Sequence, residues 1–544
     1  MSYVPQQSIA SLLKEGSKHL SGLEEAVLQN IDACKQLKRI VRTSIGPNGM
    51  NKMVVNHLGK LFVTSDAATI VKELDVIHPA AKLIVKASET QDREVGDGTG
   101  LVIVFAGELL EQAEQLLRMG LHPAEIIKGY DRSMQETLKI LEKLTIHKIT
   151  DLKDTTMVTE ALKPCIASKQ YGLEDLLAPL IAKACVSILP ANINTFNVEN
   201  VRVAKVLGAS IHDSTLVNGT VLTRDVEGAV KEVKDAKVAV YTCDFESAQT
   251  ETKGTVLLKS AEELLKYTKS EETMLDNKIK AIKNAGVNVI VSTKLGEVAM
   301  HFIEKYELMA IRCISKFDLR RVARTTGAVA LAKMLPPTAD EIGKCDLIEA
   351  REVGSTKCTI LKQDSEGSRI ATLLLRASTQ NLLDDVERAV DDAVNVYKGM
   401  TKEPRFVAGA GACEMEISRQ LREFADSRPG LDQYAIKKYA ESLEIVPGTL
   451  AENAGQNGTD AVSNLMAAHA SGKKNAGVNI DDGSVIDVAE AKILDLLNTK
   501  YWALRLATEA VLTILRVNQI IMAKTAGGPD PRAMQSADAM DDAP

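Results

Sequence analysis

Two glycines flank a carboxylate and a threonine in Gly96-Asp97-Gly98-Thr99-Gly100, immediately before the apolar run Leu101 to Ala106. This arrangement suits a phosphate and its metal. The spacing predicts a helix from Leu101 to Met119, stopped by Gly120, whose free N–H groups and positive dipole end point back at the loop, where anionic oxygens are stabilised. Glycines let backbone amides approach phosphate oxygens, Asp97 offers a hard oxygen to Mg2+, and Thr99 can cap the helix or donate to phosphate. In isolation the same residues also spell an ordinary helix N-terminus.

Further segments carry related chemistry. Thr43 to Lys52 contains Ile45-Gly46-Pro47 and a second glycine before Lys52, but lacks the adjacent Gly-Lys-Ser/Thr of a Walker A loop, which argues against a P-loop enzyme. Thr64 to Ile70 places Asp66 beside hydroxyls after a strand, either as an Asx-turn opening the next helix or as a carboxylate presented to a ligand. Val407-Ala408-Gly409-Ala410-Gly411 precedes the amphipathic set Cys413, Ile417, Leu421 and Phe424, a second small-residue loop at a helix start. In the helical stretch Gln380 to Lys398, Asp384, Asp385, Asp391 and Asp392 lie opposite an apolar stripe. Such carboxylates commonly form a solvated face, but one aimed at a nucleotide would orient an attacking water, and periodicity does not choose between Asp391 and Asp392. No Ser-His-Asp or Cys-His arrangement has local support, and the 8 histidines form no zinc pattern. His301 reads as structural.

The elements that must position these residues are legible in outline. Helical spacing begins at Ser21, with Ser21 and Glu24 as a capping box, and runs to the Gly46 turn. Met53 to Asn56 and Leu61 to Thr64 read as a hairpin with an exposed tip, and helices follow to about Leu144. From Val201 to Ile314 the pattern becomes α/β, with Lys237 to Thr242, Val287 to Ser292 and Met309 to Ile314 as short buried strands. Helices return after about Ala371 and reach Ala523, and Thr525 to Pro544 has the composition of a disordered tail. A helical, mixed, helical order in 544 residues implies one domain inserted into another.

Composition narrows the function classes. A net charge of −7 and 3% aromatics give neither the electrostatic footprint nor the stacking platforms of a nucleic-acid binder. No apolar run approaches a membrane span, and the N-terminus lacks the pattern of a signal peptide. Eight cysteines scattered without metal-ligand spacing read as reduced core residues, so a cytoplasmic location is expected.

Taken in order, Thr43 to Lys52, Thr64 to Ile70, Gly96 to Thr99, Arg388 to Ala393, Val407 to Gly411 and Ile493-Leu494-Asp495 resemble the motifs of the group II chaperonins over nearly the whole chain. The resemblance implies a multidomain α plus α/β fold. It comprises a mostly helical equatorial domain (1–144 and 403–524), an intermediate hinge domain (145–204 and 366–402), and an inserted α/β apical domain (205–365) with a helical protrusion. It also implies ATP/ADP and Mg2+ as ligands. Ile45, Gly46, Pro47, Gly98, Thr99 and Gly100 would hold phosphates, Asp97 the metal, and Asp392 the attacking water, with Asp66 as the second carboxylate near the γ-phosphate. Ser168 and Lys169 match a hinge segment that approaches the nucleotide, and Gly409, Ala410, Gly411 and Asp495 match the nucleoside side.

Three positions depart from the family pattern: Gly100 for a second threonine, Ala410 within a triple glycine, and Lys492 for the glycine before Ile-Leu-Asp. The resemblance further implies a double ring of eight paralogous subunits per ring, non-native protein clients such as actin and tubulin, and client contact through 273–284 and 297–306. The alternatives are a subunit that assembles but scarcely cycles ATP, and a stand-alone kinase-like enzyme, which the missing Walker A disfavours.

Overall fold

A computed structural model describes residues 18–21, 26–245, 260–364 and 369–522. Both ends of the chain build one helical body. Helices Leu28–Arg42, Pro79–Glu94, Thr99–Arg118 and Pro123–Lys143 share a core with Ala412–Asp426, Asp432–Leu443 and Leu497–Leu515. Thr99–Arg118 is its axis: five successive residues, Val102 to Ala106, are buried, as expected of a helix apolar on every side. Around it Phe105 and Tyr130 each meet Tyr439 edge-on, at centroid distances of 5.5 and 5.6 Å. Such pairs contribute about 0.5–1.5 kcal/mol beyond area burial.

A second core joins helices Thr155–Ala167 and Glu174–Ser187 to Gln380–Lys402 and strand Ala371–Ala377. The third region is a nine-stranded mixed sheet. Its order is Val201–Leu207, Ala371–Ala377, Thr215–Leu222, Thr356–Lys362, Gly343–Val353, Glu232–Tyr241, Val289–Ser292 and Met309–Arg312, with Ala330–Leu331 also paired to Glu232–Tyr241. The last three strands of that order are parallel, linked through helices Ala261–Asn284 and Glu297–Lys305. Val289–Ser292 is buried at every position because separate apolar clusters cover the two faces. The fold is thus a multidomain combination of helical and α/β parts, with the sheet inserted within the helical sequence.

Several sequence expectations are corrected. Ser21 does not cap a helix: Lys18–Ser21 is a strand paired antiparallel with Gln519–Met522, and the helix begins at Leu28. Its capping partner Glu24 lies outside the described residues, as do Thr525 to Pro544 and the 246–259 portion of the expected protrusion. Helices do not resume at Ala371, because Ala371–Ala377 is a buried strand lying between Val201–Leu207 and Thr215–Leu222. Continuous apolar character there reflects burial on both faces rather than helical periodicity. All eight cysteines are free thiols, seven of them buried. His301 is exposed on Glu297–Lys305, its ring against Phe302.

Candidate nucleotide site

A cavity of about 800 Å3 opens between the helical body and the second core. Along one wall run Ile45, Gly46, Pro47, Asp97, Gly98, Thr99 and Gly100; Ser168 and Lys169 enter from the opposite core; Ala410, Gly411 and Asp495 close a third side. The turn at Ile45 is clamped from behind by Asn453, whose Nδ2 donates to the Ile45 carbonyl at 2.8 Å and to that of Arg42 at 3.1 Å.

Helix Thr99–Arg118 aims its N-terminus into this space. Its N-cap is Gly98 rather than Thr99, which corrects the capping role considered for the threonine. Gly98 has φ +80° and a Cβ there would stand 2.9 Å from Thr499 Cγ2, so both conformation and clearance require glycine. Gly411, φ +78°, plays the same part for Ala412–Asp426, with Pro447 Cβ 2.7 Å from where a side chain would begin. Two helix N-termini capped without a side chain therefore leave N–H groups for an external anion. Gly409 is buried behind the lining, its N–H bonded to the Ile493 carbonyl at 3.0 Å.

Lys169 organises the far end. Its ammonium lies 2.6 Å from Asp66 Oδ1 and 3.4 Å from Asp392 Oδ2, with all three side chains at most 16% exposed. Asp66 is also the N-cap of Ala67–Glu73, accepting from the Thr69 amide and hydroxyl, so the Asx-turn and the presented carboxylate coexist in one residue. Burial opposes ionisation of Asp66, but Lys169 and the Thr69 bonds reverse this and hold it below the usual carboxylate range. Asp392 is pushed well above that range by burial, and Lys169 pulls it back only in part. Burial alone would lower Lys169, yet Asp66 and Asp392 raise it above an ordinary lysine. Two carboxylates sharing one ammonium thus divide into a charged anchor and a group of high proton affinity.

Of the two adjacent acids on Gln380–Lys402, Asp392 faces Lys169, whereas Asp391 is exposed. A solvated face does not describe all four acids. Asp385 is buried, accepting from the Thr64 hydroxyl at 2.7 Å, and Asp384 pairs with Lys205 at 2.6 Å.

The residues fit an anionic ligand carrying a hard cation. Ser65 Oγ and Thr499 Oγ1 are buried on the cavity wall without a hydrogen-bond partner, donors that a ligand oxygen would satisfy. Asp97 accepts from the Gly98 amide at 2.7 Å; burial raises its pKa, an environment that a metal ion would reverse. Among the described residues no three His, Cys, Asp or Glu groups form a ready-made metal cage. That suits Mg2+, which takes one or two carboxylates and completes its shell with phosphate and water.

Both non-glycine departures, Ala410 at φ 48° and Lys492 at φ 56°, adopt left-handed backbone. The Val478 N–H donates to the Ala410 carbonyl at 3.0 Å, fixing that turn, and Lys492 Nζ reaches Glu160 Oε1 at 2.6 Å across the cavity mouth. Left-handed backbone costs an L-residue about 1–2 kcal/mol, and an exposed ion pair returns at most about 1 kcal/mol. Both side chains also line the cavity, so Ala410→Gly with Lys492→Gly, which removes a methyl and a charged side chain from it, should raise nucleotide occupancy of this chain at limiting ATP, read by photoaffinity labelling. Unchanged or lower occupancy would show that the Lys492–Glu160 contact compensates for the backbone.

Residues that the sequence reading left out also line the cavity: Glu160, Lys163, Tyr171, Asn479, Thr499 and Lys500. They sit inside helices or irregular loops, where no local pattern sets them apart from surface or core residues.

The chain matches the TCP-1/cpn60 chaperonin family over residues 37–525, and it belongs to that family. Within it, the similarity is to theta subunits. The chain is 51% identical over 533 residues to T-complex protein 1 subunit theta of Gallus gallus, covering 97% of each. To its counterpart in Dictyostelium discoideum it is 49% identical over 534 residues, 98% of this chain and 99% of the relative. The Homo sapiens theta subunit is 51% identical over 533 residues, again 97% of each.

Proposed function

We propose that this chaperonin subunit binds ATP with Mg2+ in the cavity and hydrolyses it to drive closure of a ring around non-native protein. The carrying observation is Lys169, which projects from the second core and meets Asp66 of the helical body beside Asp392. The division proposed for the chain is an equatorial unit (1–144, 403–524), a hinge unit (145–204, 366–402) and an apical unit (205–365), with the strands Val201–Leu207 and Ala371–Ala377 running across the hinge–apical boundaries. Actin and tubulin are the proposed client class, paralogous subunits the ring partners, and the cytoplasm the location. No described helix is long and apolar enough to cross a membrane.

In this mechanism the amides opening Thr99–Arg118 and the Gly46-Pro47 turn hold the phosphates, and Asp97 holds the cation. Mg2+ when bound would neutralise charge developing on the phosphate oxygens. Asp392 orients the water and accepts its proton, while Lys169 and Asp66 fix the position of that carboxylate. Because Ser168 and Lys169 arrive from the hinge unit, the state of the cavity is felt by the element that moves.

The test is to purify the tagged chain in its complex, measure its size, and label it with a photoreactive ATP analogue plus Mg2+. A particle on the order of a megadalton with ATP-competed labelling of this chain is expected. Assembly without labelling would instead favour a structural subunit that scarcely cycles ATP, the reading supported by the left-handed Ala410 and Lys492.

Hairpin Lys52–Val55 with Leu61–Thr64 is proposed as a subunit contact. Met53, Val55 and Leu58 are 71%, 63% and 79% exposed, and a two-stranded ribbon is only marginally stable alone. Shortening the tip at His57 to Lys60 should lower incorporation into rings severalfold while the isolated chain keeps its circular dichroism. Normal incorporation would exclude the contact.

A further inference from the structure

Behind the third side of the cavity lies a charged group outside the mechanism above. Lys500, in the first turns of Leu497–Leu515, is 9% exposed, and its ammonium contacts two carboxylates. One is Glu414, 1% exposed in the first turn of Ala412–Asp426. The other is Asp495 Oδ2 at 2.9 Å, on strand Leu494–Leu496, where the side chain remains 37% exposed and lines the cavity. Three elements thus converge on one ammonium. Glu414 Oε2 is buried without a partner, as is Thr499 Oγ1, next to Lys500 in sequence, so the group is not a fully satisfied structural network.

We infer that Lys500 is a positioning residue: held in place by Glu414, it fixes the Asp495 carboxylate so that its remaining oxygen accepts hydroxyls of the nucleoside sugar. The asymmetry in burial supports this division. Glu414, sealed from solvent at a helix N-terminus, anchors the ammonium, while Asp495 is the member presented to the cavity. A carboxylate free to rotate at 37% exposure would lose rotational freedom on binding; one already tied through Oδ2 has less to lose. Lys500 acts here as a hydrogen-bonding cation, since burial alone would lower its pKa but Asp495 and Glu414 raise it.

This inference rests on the nucleotide reading of the cavity. Lys500→Met alone would leave Glu414 buried and unpaired, so the test compares E414Q with E414Q/K500M in the assembled complex. Photolabelling of this chain is competed with ATP and with 2′,3′-dideoxy-ATP. In wild type, ATP should compete better than the dideoxy analogue by about tenfold, the value of one charge-assisted hydrogen bond, and E414Q, whose amide oxygen still accepts from Lys500, should keep most of that preference.

In E414Q/K500M the half-saturating ATP concentration should rise by about the same factor, the saturating level of labelling should stay unchanged, and the preference for ATP should disappear. E414Q/K500R should recover the preference. A purely structural lysine would lower the saturating level and leave the preference intact, which overturns the inference. Should E414Q/K500M fail to assemble, D495N, which leaves the Lys500–Glu414 pair in place, must lose the preference; if it keeps it, the inference is wrong. Absence of labelling in wild type would instead overturn the nucleotide reading itself.

Discussion

Asp392→Ala should leave nucleotide loading of this subunit within about threefold of wild type and cut hydrolysis there about 10²- to 10³-fold. A carboxylate that orients water and takes its proton acts on the transition state far more than on the bound ground state. Its placement fits that role: it is buried 3.4 Å from Lys169, a residue that lines the cavity. Asp97→Ala should behave differently, weakening Mg2+-dependent loading as well as turnover, because Asp97 stands in the loop that opens Thr99–Arg118. Labelling by photoreactive ATP separates loading from hydrolysis, which is followed by conversion of trapped ATP to ADP. Equal loss of loading in both variants would remove the division of roles.

Lys169→Met should be the most destabilising single change at the site. It strands Asp66 and Asp392, at 10% and 11% side-chain exposure, without their shared cation. Breaking a buried ion pair from one side costs about 3–5 kcal/mol, because the remaining charge stays desolvated. Hydrogen exchange should accelerate in Ala67–Glu73 and around Asp392 on Gln380–Lys402, the elements that Lys169 ties together. Adding Asp66→Asn and Asp392→Asn to Lys169→Met should restore most of the protection, since neutral amides need no counter-charge. Failure of the triple variant to recover would mean that the lysine acts through packing of its stem.

Where the sequence was informative, it was so because chemistry and local structure coincide. The Gly96 to Gly100 loop announces itself through glycines that a helix entry requires, and the Gly409 to Gly411 loop does the same for Ala412–Asp426. Asp391 and Asp392 could not be separated, since adjacent positions on a helix differ by about 100° and only the neighbouring core decides which one points inward. Ser21 misled because its capping pattern is local, whereas its pairing partner Gln519 is at the other end of the chain. Lys500 and Glu414 gave no signal: a lysine and a glutamate in amphipathic helices look like solvated residues until the packing of three elements buries them. The charge system around Lys169 likewise depends on contacts between residues 66, 169 and 392, a separation that no local pattern encodes.

The nested path of the chain bears on its own synthesis. Thr99–Arg118, the axis of the helical body, is made early, yet one of its principal neighbours, Leu497–Leu515, is among the last helices to be translated. At ordinary elongation rates the intervening residues take roughly 20 to 80 s to appear. Throughout that interval Val102 to Ala106 lack part of the cover that they have in the finished body. The inserted sheet has all its strands between Val201 and Ala377, so it can close before that body does. A molecule whose family shelters incomplete polypeptides therefore passes through a prolonged incomplete state itself, with part of the unfinished cover on the helix that opens the cavity.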